Sequence, residues 1–120
     1  MKSCYPVIMT RIVQESSDFY RKYFEFDVLF DAGWYVSLKH SKGQELAFID
    51  LSHESVPLEY QNHATGFILN IEVDNVDDIY KKMVAEGLTV LVPLETNEYG
   101  QRHFIISDLN NILVDIITMV

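Results

Sequence analysis

The stretch SDFYRK at residues 17–22 returns as DDIYKK at residues 77–82, sixty positions later in a chain of 120 residues. A near-repeat at half the chain length constrains the fold more than any other feature of the sequence. It implies one structural plan used twice, with each copy too small to close a core of its own. In the first copy Phe19, Tyr20, Tyr23 and Phe24 fall at i, i+1, i+4 and i+5. In the second, Val76, Ile79, Tyr80, Met83 and Val84 fall at i, i+3, i+4, i+7 and i+8. Each set makes one apolar stripe on a helix. Ser16 or Ser17 is the expected cap of the first helix, and Asp74 or Asn75 of the second, because their side-chain oxygens accept from first-turn N–H groups. Gly87 is expected to end the second helix in a left-handed conformation.

A strand-like run precedes each helix: YPVIMTR before the first, GFILNIEV before the second. Three more follow each. They are DVLFDA, WYVSLKH and ELAFID in the first half, and LTVLVPLE, RHFIIS and ILVDIIT in the second. Gly33, SKGQ, TNEYGQ and DLNN supply the turns, with Asn110-Asn111 able to take positive φ. The plan is therefore βαβββ twice, an α+β fold. Module 1 covers residues 1–51, a polar linker residues 52–65 and module 2 residues 66–120, all within a single domain. Apolar runs such as FILNI and HFII need cover on both faces. A helix covers one, and the expected use of the other is a cleft inside a curved mixed sheet, with the helices outside.

Composition excludes some functions. Nine Lys and Arg stand against 18 Asp and Glu, for a net charge of −9. Nucleic-acid binding needs clustered basic residues, so none is expected. The acidic balance serves solubility first, and also attracts cations at short range. No apolar run approaches the roughly 20 residues of a membrane span. The start of the chain does not read as a secretory signal. Cys4, the single cysteine, allows no internal disulfide, which fits a cytoplasmic location. There is no Ser-His-Asp pattern, phosphate loop or CxxC pair, so covalent catalysis is unsupported.

The order βαβββ-βαβββ, with SSDFYRKYFEF in the first half and VDNVDDIYKKMVAEGLTV and GQRHFIISDLNNILVDI in the second, resembles the glyoxalase/bleomycin-resistance/dioxygenase superfamily, also called the vicinal oxygen chelate fold. The likeness covers nearly the whole chain. Metal-using members carry His, Gln or Glu on the opening and closing strands of each half. The resemblance places Ile68, Tyr5 or Ile8, Ala47 or Glu45, and Asp115 at those positions. One or two carboxylates without an aligned histidine make a poor metal site, so no metal and no other cofactor is expected. Glu25 stands where the family phrase has Gly after the first helix.

The expected ligand-binding residues are Trp34, Asn70, Tyr99, Arg102, His103 and Asp115, with no catalytic residue assigned. Asp115 interrupts the apolar run ILVDIIT, where an unpaired buried acid would be costly. Asn70 shares a strand face with Ile68 by alternation, to be satisfied by a ligand or by a neighbour such as Asp115. His103 either serves a cleft or is satisfied within the sheet. Arg102 either holds an anionic group or pairs with Asp108 or Glu98. Trp34 and Tyr99, beside turns, belong to a cleft mouth or to the core. His40, His53 and His63 read as solvated surface residues. The resemblance implies a homodimer that binds a small organic ligand, cationic in one reading, without a metal, as bleomycin-resistance proteins do. The alternative is a glyoxalase-type lyase or isomerase using a divalent metal. An interaction module with a vestigial cleft is a third reading.

Overall fold

The computed structural model describes residues Met1–Val120. Its element order is β1 (Val7–Thr10), α1 (Val13–Phe24), β2 (Asp27–Asp31), β3 (Tyr35–Lys39), β4 (Glu45–Asp50), a short 3-10 turn (Leu58–Tyr60), β5 (Ile68–Glu72), α2 (Val76–Ala85), β6 (Val90–Thr96), β7 (Gln101–Ser107) and β8 (Leu113–Met119). The plan βαβββ is thus present twice, and the fold is α+β. The strands form two four-stranded mixed sheets, ordered β1-β4-β3-β2 and β5-β8-β7-β6. The chain divides into two compact units, residues Met1–Ala64 and Thr65–Val120.

In the first unit, β1 runs parallel to β4, and the remaining pairs are antiparallel. Alternation puts Ile8, Val36, Leu38, Leu46 and Phe48 on one face, all buried. The stripe of α1 packs there, with the Tyr20 ring 5.5 Å from that of Phe48. The helix does not begin at a serine cap. Thr10 Oγ1 accepts from Ile12 N–H at 3.0 Å, and the helix starts at Val13. Ser16 and Ser17 fall inside it, buried, and the Ser16 hydroxyl donates back to the Ile12 carbonyl. The competing acceptor two residues before Ile12 starts the helix early, which brings Val13 into the core. At the other end Glu25 adopts φ 58 and ψ 33, a left-handed residue that a non-glycine occupies at a cost of about 1 kcal/mol.

In the second unit, Phe104, Ile106, Val114 and Ile116 are fully buried on the face that α2 covers, where Tyr80 meets Phe104 edge to face at 4.9 Å. Asn75 caps α2 through its side chain, which accepts from Asp78 N–H. The helix ends as the sequence implies. Gly87 takes φ 78, its N–H donates to the Val84 carbonyl, and the Leu88 N–H reaches back to Met83. That pair of bonds satisfies two last-turn carbonyls. Thr118 ties the start of α2 to β8, accepting from Val76 N–H at 2.9 Å and donating to the Val73 carbonyl at 2.8 Å. Pro93 lies in β6, which is an edge strand and can spare the missing N–H.

Counted from the first helical residue, the repeated phrase begins at Ser17 in a helix that starts at Val13, but at Asp77 in one that starts at Val76. The two copies are out of phase by three residues, close to the 3.6 of one turn. The phrase therefore keeps its buried stripe while sitting one turn further along α1.

Candidate functional site

The open face of the second sheet, opposite α2, carries the candidate site. Asn70 on β5 pairs in register with Asp115 on β8, so the two side chains leave the same face. On β7, Ile105 pairs with Asp115 and His103 with Ile117, which brings His103 and Asp115 to one face on a diagonal. Their side chains meet: His103 Nδ1 lies 2.8 Å from Asp115 Oδ1. The other ring nitrogen, Nε2, faces Glu95 Oε1 on β6 at 3.6 Å. The His103 and Asp115 side chains are 12% and 14% exposed, whereas Glu95 is 57% exposed. Ile68, Leu113 and Ile105 supply apolar surface around this polar row, and Ile68 is exposed. Asn70 is exposed as well, so its amide needs no internal partner. Asp115 is satisfied by His103.

Arg102, next to His103, points to the other face. Its guanidinium grips Asp77 in the first turn of α2 through Nε and Nη2, at 3.0 and 2.8 Å, and reaches Thr96 at 3.1 Å. The partner is Asp77, not Asp108 or Glu98. Arg102 hydrogen bonds hold the Asp77 carboxyl below its usual range. Because that value is depressed on folding, the pair adds stability above the ordinary carboxylate range and loses it as pH falls through the lowered value.

Trp34 belongs to the first unit. It stacks face to face on His53, with ring centroids 3.5 Å apart and planes 3° from parallel. His53 is therefore more than a solvated residue. Tyr99 sits in the β6–β7 turn and is 78% exposed. Asn97 shapes that turn by accepting from the N–H groups of Tyr99 and Gln101. Within the second unit the structure thus joins His103 and Asp115 directly, sets Asn70 on the same face, leaves Tyr99 in the β6–β7 turn, and turns Arg102 to the face that α2 covers. Glu95 is the member that sequence reading misses. Folding LTVLVPLE back on RHFIIS across the TNEYGQ turn is the signal that could find it, since Glu95 pairs with His103.

On the face of the first sheet opposite α1, Ala47 pairs with Val7 and Tyr35 follows in alternation, and Ala47 is fully buried there. Ile8 is excluded, being buried under α1. The Tyr35 hydroxyl is raised above its ordinary pKa by burial first, then by the neighbouring Tyr5 and by Glu45.

The metal that the fold implies does not fit these residues. Ile68 has no donor, and Asp115 spends an oxygen on His103. The carboxylates of Asp115 and Glu95 lie against opposite nitrogens of one imidazole ring, so they do not converge on a point that the ring also faces. No group of three or more His, Cys, Asp or Glu side chains is arranged to hold an ion. No helix is long and apolar enough to cross a membrane.

The sequence profile described as a glyoxalase-like domain matches residues 3–119. No curated protein sequence matches the chain. Among solved structures, a glyoxalase/bleomycin resistance protein/dioxygenase family enzyme from Burkholderia phytofirmans PsJN is similar at 22% identity and a TM-score of 0.83, over 97% of each chain. TioX from Micromonospora sp. ML1 is similar at 16% identity and a TM-score of 0.76, over 100% of each chain. Lactoylglutathione lyase from Agrobacterium tumefaciens is similar at 18% identity and a TM-score of 0.73, over 98% of this chain and 94% of that one. At such identities the likeness is one of fold.

Proposed function

Because the chain belongs to the glyoxalase-like domain family, we propose that it binds a small organic ligand, cationic or rich in hydrogen-bond donors, without a metal, as bleomycin-resistance-like members of the superfamily do. The observation that carries this reading is the row Asn70, Asp115, His103 and Glu95 on an open sheet face with Ile68, Leu113 and Ile105 around it. Small-ligand sites combine apolar surface with a few placed polar groups. Two carboxylates in that row, on a chain of net charge −9, favour a donor or a cation over an anion.

A thermal-shift screen of amines, guanidines and polyhydroxylated compounds tests the reading, followed by calorimetry on each hit. Asp115→Leu is expected to weaken such a ligand at least about tenfold, the loss of one charge-assisted hydrogen bond, with the far-ultraviolet circular dichroism unchanged. Undiminished affinity in Asp115→Leu would reject the site. A stoichiometric divalent metal lost on Asp115→Ala would instead support the lyase or isomerase alternative.

The same reading includes a homodimer. Its support is β2, an edge strand whose Val28, Leu29 and Phe30 are 40%, 57% and 57% exposed. Unpaired apolar strand edges invite aggregation unless something covers them. Sedimentation at micromolar concentration should give the mass of two chains, and a pure monomer would remove this claim.

A further inference from the structure

We propose a second binding site, on the first unit, for a free trimethylammonium compound of choline's size, held against the rings of Tyr35 and Phe30 beside the Glu45 carboxylate. The site is separate from the row of Asn70, Asp115, His103 and Glu95 and does not rest on it.

The internal repeat leads to it. Val7 pairs with Ala47 as Asn70 pairs with Asp115, and Tyr35 pairs with Ile49 as His103 pairs with Ile117. Val7, Ala47 and Tyr35 therefore stand in the places that Asn70, Asp115 and His103 hold in the second unit. An amide, an acid and an imidazole give way to two apolar residues and a phenol ring. The carboxylate on this face of β4 is Glu45, two residues before Ala47, where the second unit has the apolar Leu113. One plan thus carries two chemistries, and the first unit suits a different ligand.

The rings are placed for a cation. Phe30 on β2 pairs with Ser37, two residues along β3 from Tyr35, so both rings leave the same face. Their centroids are 6.4 Å apart and their planes are tilted by 51°, which makes a V. Ring faces attract a cation lying within about 6 Å of the centroid. Ala47 and Ser37, at the centre of this face, are closed to solvent, whereas Phe30 and Tyr5 at its rim are 57% and 40% exposed. Approach is therefore to the rim, where the rings stand. Tyr5 and Glu45 lie close enough to Tyr35 to raise its hydroxyl pKa, which sets a full negative charge beside the V. A trimethylammonium group has no N–H to satisfy and gains from ring faces and a nearby carboxylate. A primary ammonium is strongly hydrated and suits the hydrogen-bonding row of the second unit instead. Lys39, exposed and in register with Glu45, competes for the same carboxylate.

Choline is the probe and its neutral isostere 3,3-dimethyl-1-butanol the control. Both are titrated into the full chain and read by the ring-proton shifts of Phe30 and Tyr35 and by the methyl shift of the probe. Expected is a saturable upfield shift of the choline methyls, with an affinity at least about fivefold above that of the alcohol. Phe30→Leu and Glu45→Gln should each weaken choline about two- to fivefold, and Lys39→Ala should tighten it. Tyr35→Phe keeps the ring and should bind as the unmodified chain does, so loss of binding there would overturn the ring account. An equal response to the alcohol would also overturn it. That comparison needs no variant, so it decides even where a substitution misfolds the chain. Choline that shifts His103 rather than Phe30 and Tyr35 would overturn the site, as would co-pelleting with phosphatidylcholine vesicles and no response to free choline. Sedimentation of Phe30→Leu gives one more check: a variant that turns monomeric while its choline affinity is unchanged would hand this surface to a second copy of the chain and end the proposal. Any of these failures leaves the reading of the second sheet intact, because that reading stands or falls on Asp115→Leu.

Discussion

Phe104→Ala is expected to lower the free energy of unfolding by about 3–5 kcal/mol, the largest loss from any single change considered. Phe104 is fully buried on β7, an inner strand of the second sheet. It pairs in register with Ile116, also fully buried, and meets Tyr80 of α2 at 4.9 Å and 78°. Truncation removes the transfer energy of a ring and leaves a cavity between helix and sheet that rigid strands cannot collapse. It also removes an edge-to-face pair worth about 0.5–1.5 kcal/mol by itself. Against a typical total of about 5–15 kcal/mol, the variant should lose much of its cooperativity. Urea denaturation followed by circular dichroism measures this, and a midpoint within error of the parent would refute the packing account. Phe104→Leu should cost much less, because most of the volume stays.

Asp108→Ala should cost about 2–3 kcal/mol. Asp108 is 6% exposed in the turn between β7 and β8. One oxygen, Oδ1, accepts from both Asn110 N–H at 2.8 Å and Ile112 N–H at 2.9 Å. The Ile112 bond is buried, so its donor would be left without a partner in the alanine variant. Asp108→Asn keeps an accepting oxygen and should retain more than half of the difference. The comparison separates loss of the acceptor from loss of charge. The turn also sets the pairing of β7 with β8, so the alanine variant should broaden or shift the His103 imidazole resonances although the ring is remote from residue 108 in sequence. Unchanged resonances together with full stability would show that the strands hold their register without this turn.

Much of this arrangement is legible in the sequence, and the reasons are local. The stripes of α1 and α2, the Asn75 cap and the Gly87 stop depend on residues within a few positions of one another. So does the positive φ of Asn111, at 60°, which suits a short polar side chain in a turn. Asn70 and Asp115 come to a shared face by alternation plus resemblance. What escapes a sequence reading depends on register between distant strands. The start of α1 differs from the serine-cap expectation because Thr10, outside the helix, takes the first free N–H before the serines can. Arg102 has a partner other than the expected Asp108 or Glu98 because Asp77, 25 residues away, comes near only when α2 packs on β7. Glu95 is hidden for a related reason: β6 pairs irregularly with β7, with shifts on both sides of Val92, so counting across the hairpin is unsafe. Thr118 as a second anchor for α2 has no sequence signal, since a threonine at a strand end is ordinary there.

Arg102 and His103 are neighbours on β7 yet serve opposite faces, one fastening α2 through Asp77, the other meeting Asp115. This ties the history of the two faces together. An insertion or deletion of one residue inside the strand would exchange them, sending the guanidinium to the open face and the imidazole under the helix. Length changes are therefore admissible only in the turn at residues 97–100, or in steps of two that preserve parity. Lineages descending from such a chain can vary what the open face recognises by replacing side chains in place, but not by sliding the strand. The helix anchor thus acts as a ratchet on the site, and hairpin length polymorphism should accumulate at the turn while β7 itself stays fixed in length.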